Sequence, residues 1–233
     1  MNTSVGSEST DASGRVRLRV RPGTGDDAAV VARMHTAHIS TGFLSMLGPR
    51  LLTRLYRRVT RADGCFLVVT EFDGKPVGFV AGSMDTRRLL RRFVVLDGPA
   101  VVVTTGWSFL RHWRQTLETL SQARSGQATP EAATDVEAEL LSVAVDDGFR
   151  GAGVGSALTR AFLDEAARRG AGSARVVVGA ANHEAIRMYG RCGFATVGHF
   201  EHHRGTASVL LRSPLVPSPA AETGEPGMAP VGP

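Results

Sequence analysis

The stretch Leu140-Leu141-Ser142-Val143-Ala144-Val145-Asp146-Asp147-Gly148-Phe149-Arg150-Gly151-Ala152-Gly153-Val154-Gly155 decides the fold. A β-branched apolar run turns directly into a loop with three alternating glycines, and an amphipathic helix is predicted to start at Ser156. Glycine lets a ligand come close to the backbone. Converging N–H groups and the positive end of the helix dipole then favour an anion, so the stretch reads as a seat for phosphate or pyrophosphate.

Spacing excludes two other phosphate-binding patterns. A dinucleotide fingerprint G-x-G-x-x-G begun at Gly151 would end on Ser156, and begun at Gly153 on Leu158; no acidic residue closes the next strand, residues 175–179. A P-loop needs Gly-Lys-Ser/Thr, and Lys75 is the chain's one lysine. What stands is Arg150-Gly151-Ala152-Gly153-Val154-Gly155. After it come a helix (156–169), a strand (174–179), Asn182, and a second helix bearing Tyr189 before Gly193-Phe194. This series, over roughly residues 138 to 212, resembles the acyl-CoA loop (Arg/Gln-x-x-Gly-x-Gly/Ala) and its sequel in the GCN5-related N-acetyltransferase (GNAT) family.

The resemblance implies an α/β (α+β) fold: a mixed central sheet of about seven strands, its fourth and fifth strands parallel and splayed, with helices on both faces. It implies acetyl-CoA as co-substrate. The backbone of Val143, Ala144 and Val145 would hold the pantetheine arm, and Arg150, Gly151, Ala152, Gly153, Val154, Gly155 and Ser156 the pyrophosphate, with the Arg150 guanidinium adding charge. Asn182 would bond the cofactor arm or cap its helix. Tyr189, one of two tyrosines, occupies the family's general-acid position, and a phenol is suited to protonate a departing thiolate.

The general base is less marked. Members that acetylate ribosomal protein N-termini carry a glutamate five residues before the asparagine, where this chain has Val177. Glu137 and Glu139, on one face of the fourth strand under strict alternation, are candidate bases acting through water. His35 and His38 lie in or beside the first helix, whose following loop lines the acceptor site in the family. The activity implied is acetyl transfer to a primary amine of a small molecule, such as an amino sugar or amine metabolite. Alternatives are a protein N-terminal or lysine acceptor, and a non-catalytic acyl-CoA-binding module.

The rest of the chain bounds these readings. Its 233 residues suffice for one domain, expected at 15–212, between a polar tail at 1–14 and a proline-rich tail at 213–233 that lack the apolar residues to offset ordering entropy. No apolar run approaches the ~20 residues of a membrane helix and the start does not read as a signal peptide, so a cytoplasmic protein without membrane contact is expected. Cys65 and Cys192 read as reduced thiols, and no metal site is expected. Net charge is +5; Arg50, Arg54, Arg57, Arg58 and Arg61 share roughly one face of a predicted helix, and Arg87, Arg88, Arg91 and Arg92 form a second cluster. With no interleaved aromatics these read as solvated faces rather than a nucleic-acid site. A homodimer is left open.

Predicted elements begin with a strand at 15–21, a helix from Thr24 or Gly25 to His38, and a helix at 49–60. Strands at 65–72 and 76–83 join through Asp73-Gly74-Lys75. An insertion at 84–135 is expected to hold a helix at 107–124 and a linker at 122–134. Strands at 139–145, 194–203 and 207–212 complete the sheet.

Overall fold

The computed structural model describes residues 18–39, 44, 47–105, 136–202 and 206–215. In chain order the elements are β1 (Leu18–Pro22), α1 (Ala28–His38), α2 (Gly48–Val59), β2 (Cys65–Phe72), β3 (Lys75–Ser83) and α3 (Thr86–Thr105). They continue with β4 (Glu137–Val145), α4 (Val154–Arg168), β5 (Ser173–Gly179), α5 (His183–Arg191), β6 (Ala195–His202) and β7 (Thr206–Pro214). The seven strands form one mixed sheet in the order β1-β2-β3-β4-β5-β7-β6, in which β4 and β5 are parallel.

The β2–β3 hairpin turns on Asp73 and Gly74, both at positive φ (50° and 70°), as a two-residue turn matched to strand twist requires. Each face of the sheet is covered by helices. On one, Val31, Leu51, Leu52, Leu55, Val59, Leu89 and Phe93 from α1, α2 and α3 pack on Phe79 and Ala81. On the other, Leu158, Phe162 and Ala166 of α4 and Tyr189 of α5 pack on Val80, Leu140 and Val176. A Cβ at Gly82 would lie 2.4 Å from Phe66 Cζ and 2.7 Å from Phe162 Cε2, so glycine there makes room for these two stacked rings between sheet and α4.

Several boundaries differ from the sequence expectation. The helix after the glycine loop starts at Val154 rather than Ser156, because Gly153 in the left-handed region (φ 81°) serves as its N-cap residue. β7 runs to Pro214, where Ser213 and Pro214 pair with Ala174 and Ser173, so the sheet extends past residue 212. The insertion contains α3, which sequence reasoning did not place; its Leu89, Leu90 and Phe93 are buried while Arg87, Arg88, Arg91 and Arg92 are exposed, the division of a surface helix. The helix expected at 107–124, the linker at 122–134 and the tail at 1–14 lie outside the described residues. On α2, Arg50, Arg54 and Arg57 are exposed opposite the buried face, and Arg58 is half-buried. Both cysteines are free thiols, Cys65 buried and Cys192 half-buried. Among the described residues no helix is long and apolar enough to cross a membrane.

Candidate active site

The site arises where the sheet comes apart. β4 and β5 pair only at their starts, Glu137 with Ser173, Ala138 with Ala174 and Glu139 with Arg175. Beyond Glu139, β4 continues beside β3 and β5 beside β7, so the edge of β4 from Leu140 to Val145 that faces β5 carries backbone groups without a strand partner among the described residues. Such groups seek another partner when shielded from water. A cavity open to solvent lies at the C-terminal end of β4 and is lined there by Val143, Ala144 and Val145.

A β-bulge sets the direction of this edge. Ala81 pairs with Ser142 and Gly82 with Leu140, leaving Leu141 without a partner in β3. Leu140 packs toward α4; Leu141 packs toward α1 and α2, and the Ser142 hydroxyl bonds the Tyr56 hydroxyl of α2 at 2.8 Å. Val143 then returns to the α4 side. Two successive residues thus share a face, and the alternation inverts halfway along β4.

At the far end of β4 a single 3₁₀ turn, Asp147–Phe149, leads into the glycine loop. Gly151 (φ 76°) and Gly153 (φ 81°) hold conformations that side chains disfavour, and an added Cβ would meet nothing within 4 Å at either position. The loop is therefore glycine for its backbone shape, and its outer side is open. No side chain caps α4, so the first-turn N–H groups at Val154, Gly155 and Ser156 are offered to whatever enters the cavity. Arg150, Gly151, Gly153, Gly155 and Ser156 all line it. Ala152 and Val154, expected to do so, do not line it: Ala152 is exposed and Val154 is buried in the core.

Asn182 performs the cap: its side-chain oxygen accepts from the N–H of Ala185 at 3.1 Å. It also lines the cavity, where its amide N–H₂ is what it has left to offer. Ala185, Met188 and Arg191 of α5 line the same wall. Tyr189 does not. It is 4% exposed and packs edge-on against Phe194 at 5.5 Å, and burial pushes its phenol above the ordinary value.

Glu137 and Glu139 are not at the cavity either. Arg175 holds Glu139 at 2.6 Å and Glu137 at 3.4 Å, and Arg212 holds Glu137 at 2.6 Å. They sit at the closed end of the strand pair, and four residues of strand, about 13 Å, separate Glu139 from Val143. Their position along β4, at the end that pairs with β5, is the reason they fall outside the cavity; the bulge in addition turns the upper half of β4 over relative to them.

The two histidines part company as well. His35 is 1% exposed; its Nδ1 lies 2.6 Å from the Tyr56 hydroxyl, its Nε2 is buried without a partner among the described residues, and burial pushes its pKa down to about 4. It is a neutral core residue. His38, the last residue of α1, lines the cavity beside Arg150 and Phe149. Its Nε2 is 3.2 Å from Asp146 Oδ1, and its Nδ1 is 3.2 Å from Arg150 Nη2, which also reaches Asp147 at 3.1 Å. Phe149, Glu184, Met188 and Arg191 are lining residues that sequence reasoning did not single out; their helical and loop positions relative to Asn182 and Arg150 were the one signal available.

Comparison with known proteins agrees with this geometry. The family model described as acetyltransferase (GNAT) family matches residues 38–194. A search of curated proteins finds no matching sequence. Among solved structures, the chain is similar to Ard1 from Thermoplasma volcanium (22% identity, 84% of this chain and 97% of that one, TM-score 0.54). It is also similar to the ribosomal-protein-S18-alanine N-acetyltransferase from Escherichia coli (15%, 90% and 99%, TM-score 0.53) and to a spermidine N-acetyltransferase chimera from Vibrio cholerae (14%, 84% and 95%, TM-score 0.53). At these identities the likeness is one of fold. The family match spans more than half of the chain and contains the glycine loop, the opened edge of β4 and the capped helix α5: the protein belongs to the GNAT family of acetyltransferases.

Proposed function

We propose that the protein transfers an acetyl group from acetyl-CoA to the primary amine of a small molecule. The observation that carries this reading is the continuity of the cavity, from the unpaired edge of β4 at Val143–Val145 to the uncapped N-terminus of α4. The residues fit the ligand: a strand edge for an amide-bearing arm, and N–H groups with Arg150 for a pyrophosphate. Bound there, acetyl-CoA supplies an acyl group activated on sulfur. The chain contributes position and charge: β4 lies along the arm, Asn182 offers its amide N–H₂, and the helix end compensates the phosphates. Val177 at the half-buried middle of β5, in place of a carboxylate, favours a small amine over a ribosomal protein N-terminus.

Tyr189 is the group that protonates the leaving sulfur in this reading. Burial raises its phenol above the ordinary value, which keeps it protonated throughout neutral pH and makes it a weaker acid than a free phenol. Tyr189 is buried against Phe194 and does not line the cavity, so the Phe variant below decides whether it acts on the sulfur or only packs.

Two measurements test the proposal. Acetyl-CoA at 100-fold excess over its Kd should stabilise the wild type by about 2.7 kcal/mol, read as a raised Tm, and Gly153→Glu should abolish the shift by placing a carboxylate in the phosphate seat. An equal shift in the variant places the ligand elsewhere. In a thiol-release assay over a panel of amines and peptides, Tyr189→Phe should lower kcat by about 10²–10⁴ and leave the acetyl-CoA shift intact. Thiol release with peptides but not small amines would reverse the acceptor class, and binding without any release would make the chain an acyl-CoA-binding module.

A further inference from the structure

Acetyl transfer needs a group to take the proton that the amine nitrogen loses, and the described residues narrow the choice. Glu137 and Glu139 are locked in ion pairs at the closed end of β4, and His35 is sealed in the core. Of the lining side chains, Arg150 and Arg191 are cations, Asn182 is neutral, and Glu184 stands exposed in the first turn of α5. His38 is different. Its side chain is 13% exposed, it lines the cavity, and a carboxylate holds one of its nitrogens.

The partners fix its tautomer. A guanidinium has only donors, so Arg150 Nη2 at 3.2 Å, nearer than the Asp147 carboxylate at 3.6 Å, assigns His38 Nδ1 of the neutral ring as the acceptor, its lone pair directed toward Arg150. Nε2 then carries the hydrogen and donates it to Asp146 at 3.2 Å. A carboxylate on one nitrogen and a free lone pair on the other is how an imidazole is oriented as a base. Arg150 covers that lone pair through contacts that exchange easily. Its side chain is 52% exposed and that of Asp147 75%, and such a pair is weak, whereas a phosphate offers the guanidinium two charge-assisted bonds at once.

We propose that His38 is the general base of the transfer, oriented by Asp146 and uncovered when pyrophosphate draws Arg150 away; this rests on the acyl-transfer reading above. The neutral amine forms its bond to the thioester carbonyl carbon as the carbon–sulfur bond breaks. The proton lost from nitrogen passes to His38 Nδ1, directly or through one water, and on to solvent. The departing thiolate takes a proton from the donor assigned above or from solvent in the open cavity. Asp146 is a positioning residue. Asp147 and Arg150 face His38 from the loop, and Glu184 and Arg191 line the cavity from α5.

The test is kcat at saturating acetyl-CoA as a function of pH, measured by thiol release with an accepted amine. His38→Gln should lower kcat by about 10²–10⁴ and remove the acid limb of the profile, while the acetyl-CoA melting shift persists. Should that variant unfold, His38→Ala with added imidazole should regain part of the lost rate. Asp146→Asn should lower kcat by less and keep the limb, and Arg150→Gln should raise the KM for acetyl-CoA and keep the limb. Wild-type kcat with an unchanged acid limb in His38→Gln overturns the assignment and leaves the acyl-transfer reading standing. A wild type that binds acetyl-CoA but releases thiol with no amine overturns that reading, and this one with it.

Discussion

The two halves of β4 are held by opposite chemistry. Its first three residues are paired to β5 and fastened by charge, with Arg175 between Glu137 and Glu139 and Arg212 on Glu137. Its second half has no strand partner on the β5 side among the described residues and is fastened from behind by neutral groups, Ser142 to Tyr56 and Tyr56 to His35. A strand that must leave one edge open for a ligand cannot rely on that edge for its own stability. The closed half clamps the strand pair against further parting, and the hydroxyl–imidazole chain fixes the bulge where the strands separate. The cavity is the product of both.

Two experiments break one half at a time. The larger effect is expected at the charged end. Glu137→Ala combined with Glu139→Ala leaves the Arg175 guanidinium, whose side chain is 9% exposed, buried without compensation, and should cost about 3–5 kcal/mol in denaturant unfolding. The acetyl-CoA Kd of the folded fraction should stay close to wild type, because the closed end does not touch the cavity. A large rise in Kd with little loss of stability would return these carboxylates to the site.

The smaller effect belongs to the neutral end and depends on pH. Burial holds His35 near 4 in the folded protein, below its ordinary 6.5, so between these values the unfolded chain binds the extra proton. The contribution is complete above the ordinary imidazole value and is lost as pH falls toward 4, which should cost roughly 2–3 kcal/mol across the window. His35→Gln should be less stable at neutral pH and show a flatter acid slope. An unchanged slope in the variant would mean that His35 is charged in the fold, with its Nε2 paired to a group or water that neutralises it.

Much of this organisation is legible in one dimension. Asp73-Gly74 marks a hairpin by turn chemistry, and Asn182 marks a helix start because its side chain can accept from the N–H three residues on. The site was only partly legible. Under strict alternation Glu139 would share the face of Val143, and the unpaired Leu141 inverts that relation; a bulge depends on a register with β3 that no local pattern announces. His35 and His38 are alike in sequence, three residues apart on one helix. Their fates diverge because one meets Tyr56 and Phe79 in the core and the other meets Asp146 and Arg150 at the cavity.

The sequence by itself determined the elements whose causes are local. These are the glycine-bearing turn of the loop, the cap of α5 and the apolar periods that bury one face of each helix. Tertiary structure decided what long-range pairing decides: that β4 and β5 part after three residue pairs, that Arg175 claims the two glutamates, and that His38 meets the loop more than a hundred residues away. The physical reason is range. Backbone dihedrals, caps and periodicity act within a few residues, whereas ion pairs, registers and cavities exist only once distant segments share a neighbourhood, and chemistry at this site needs that neighbourhood.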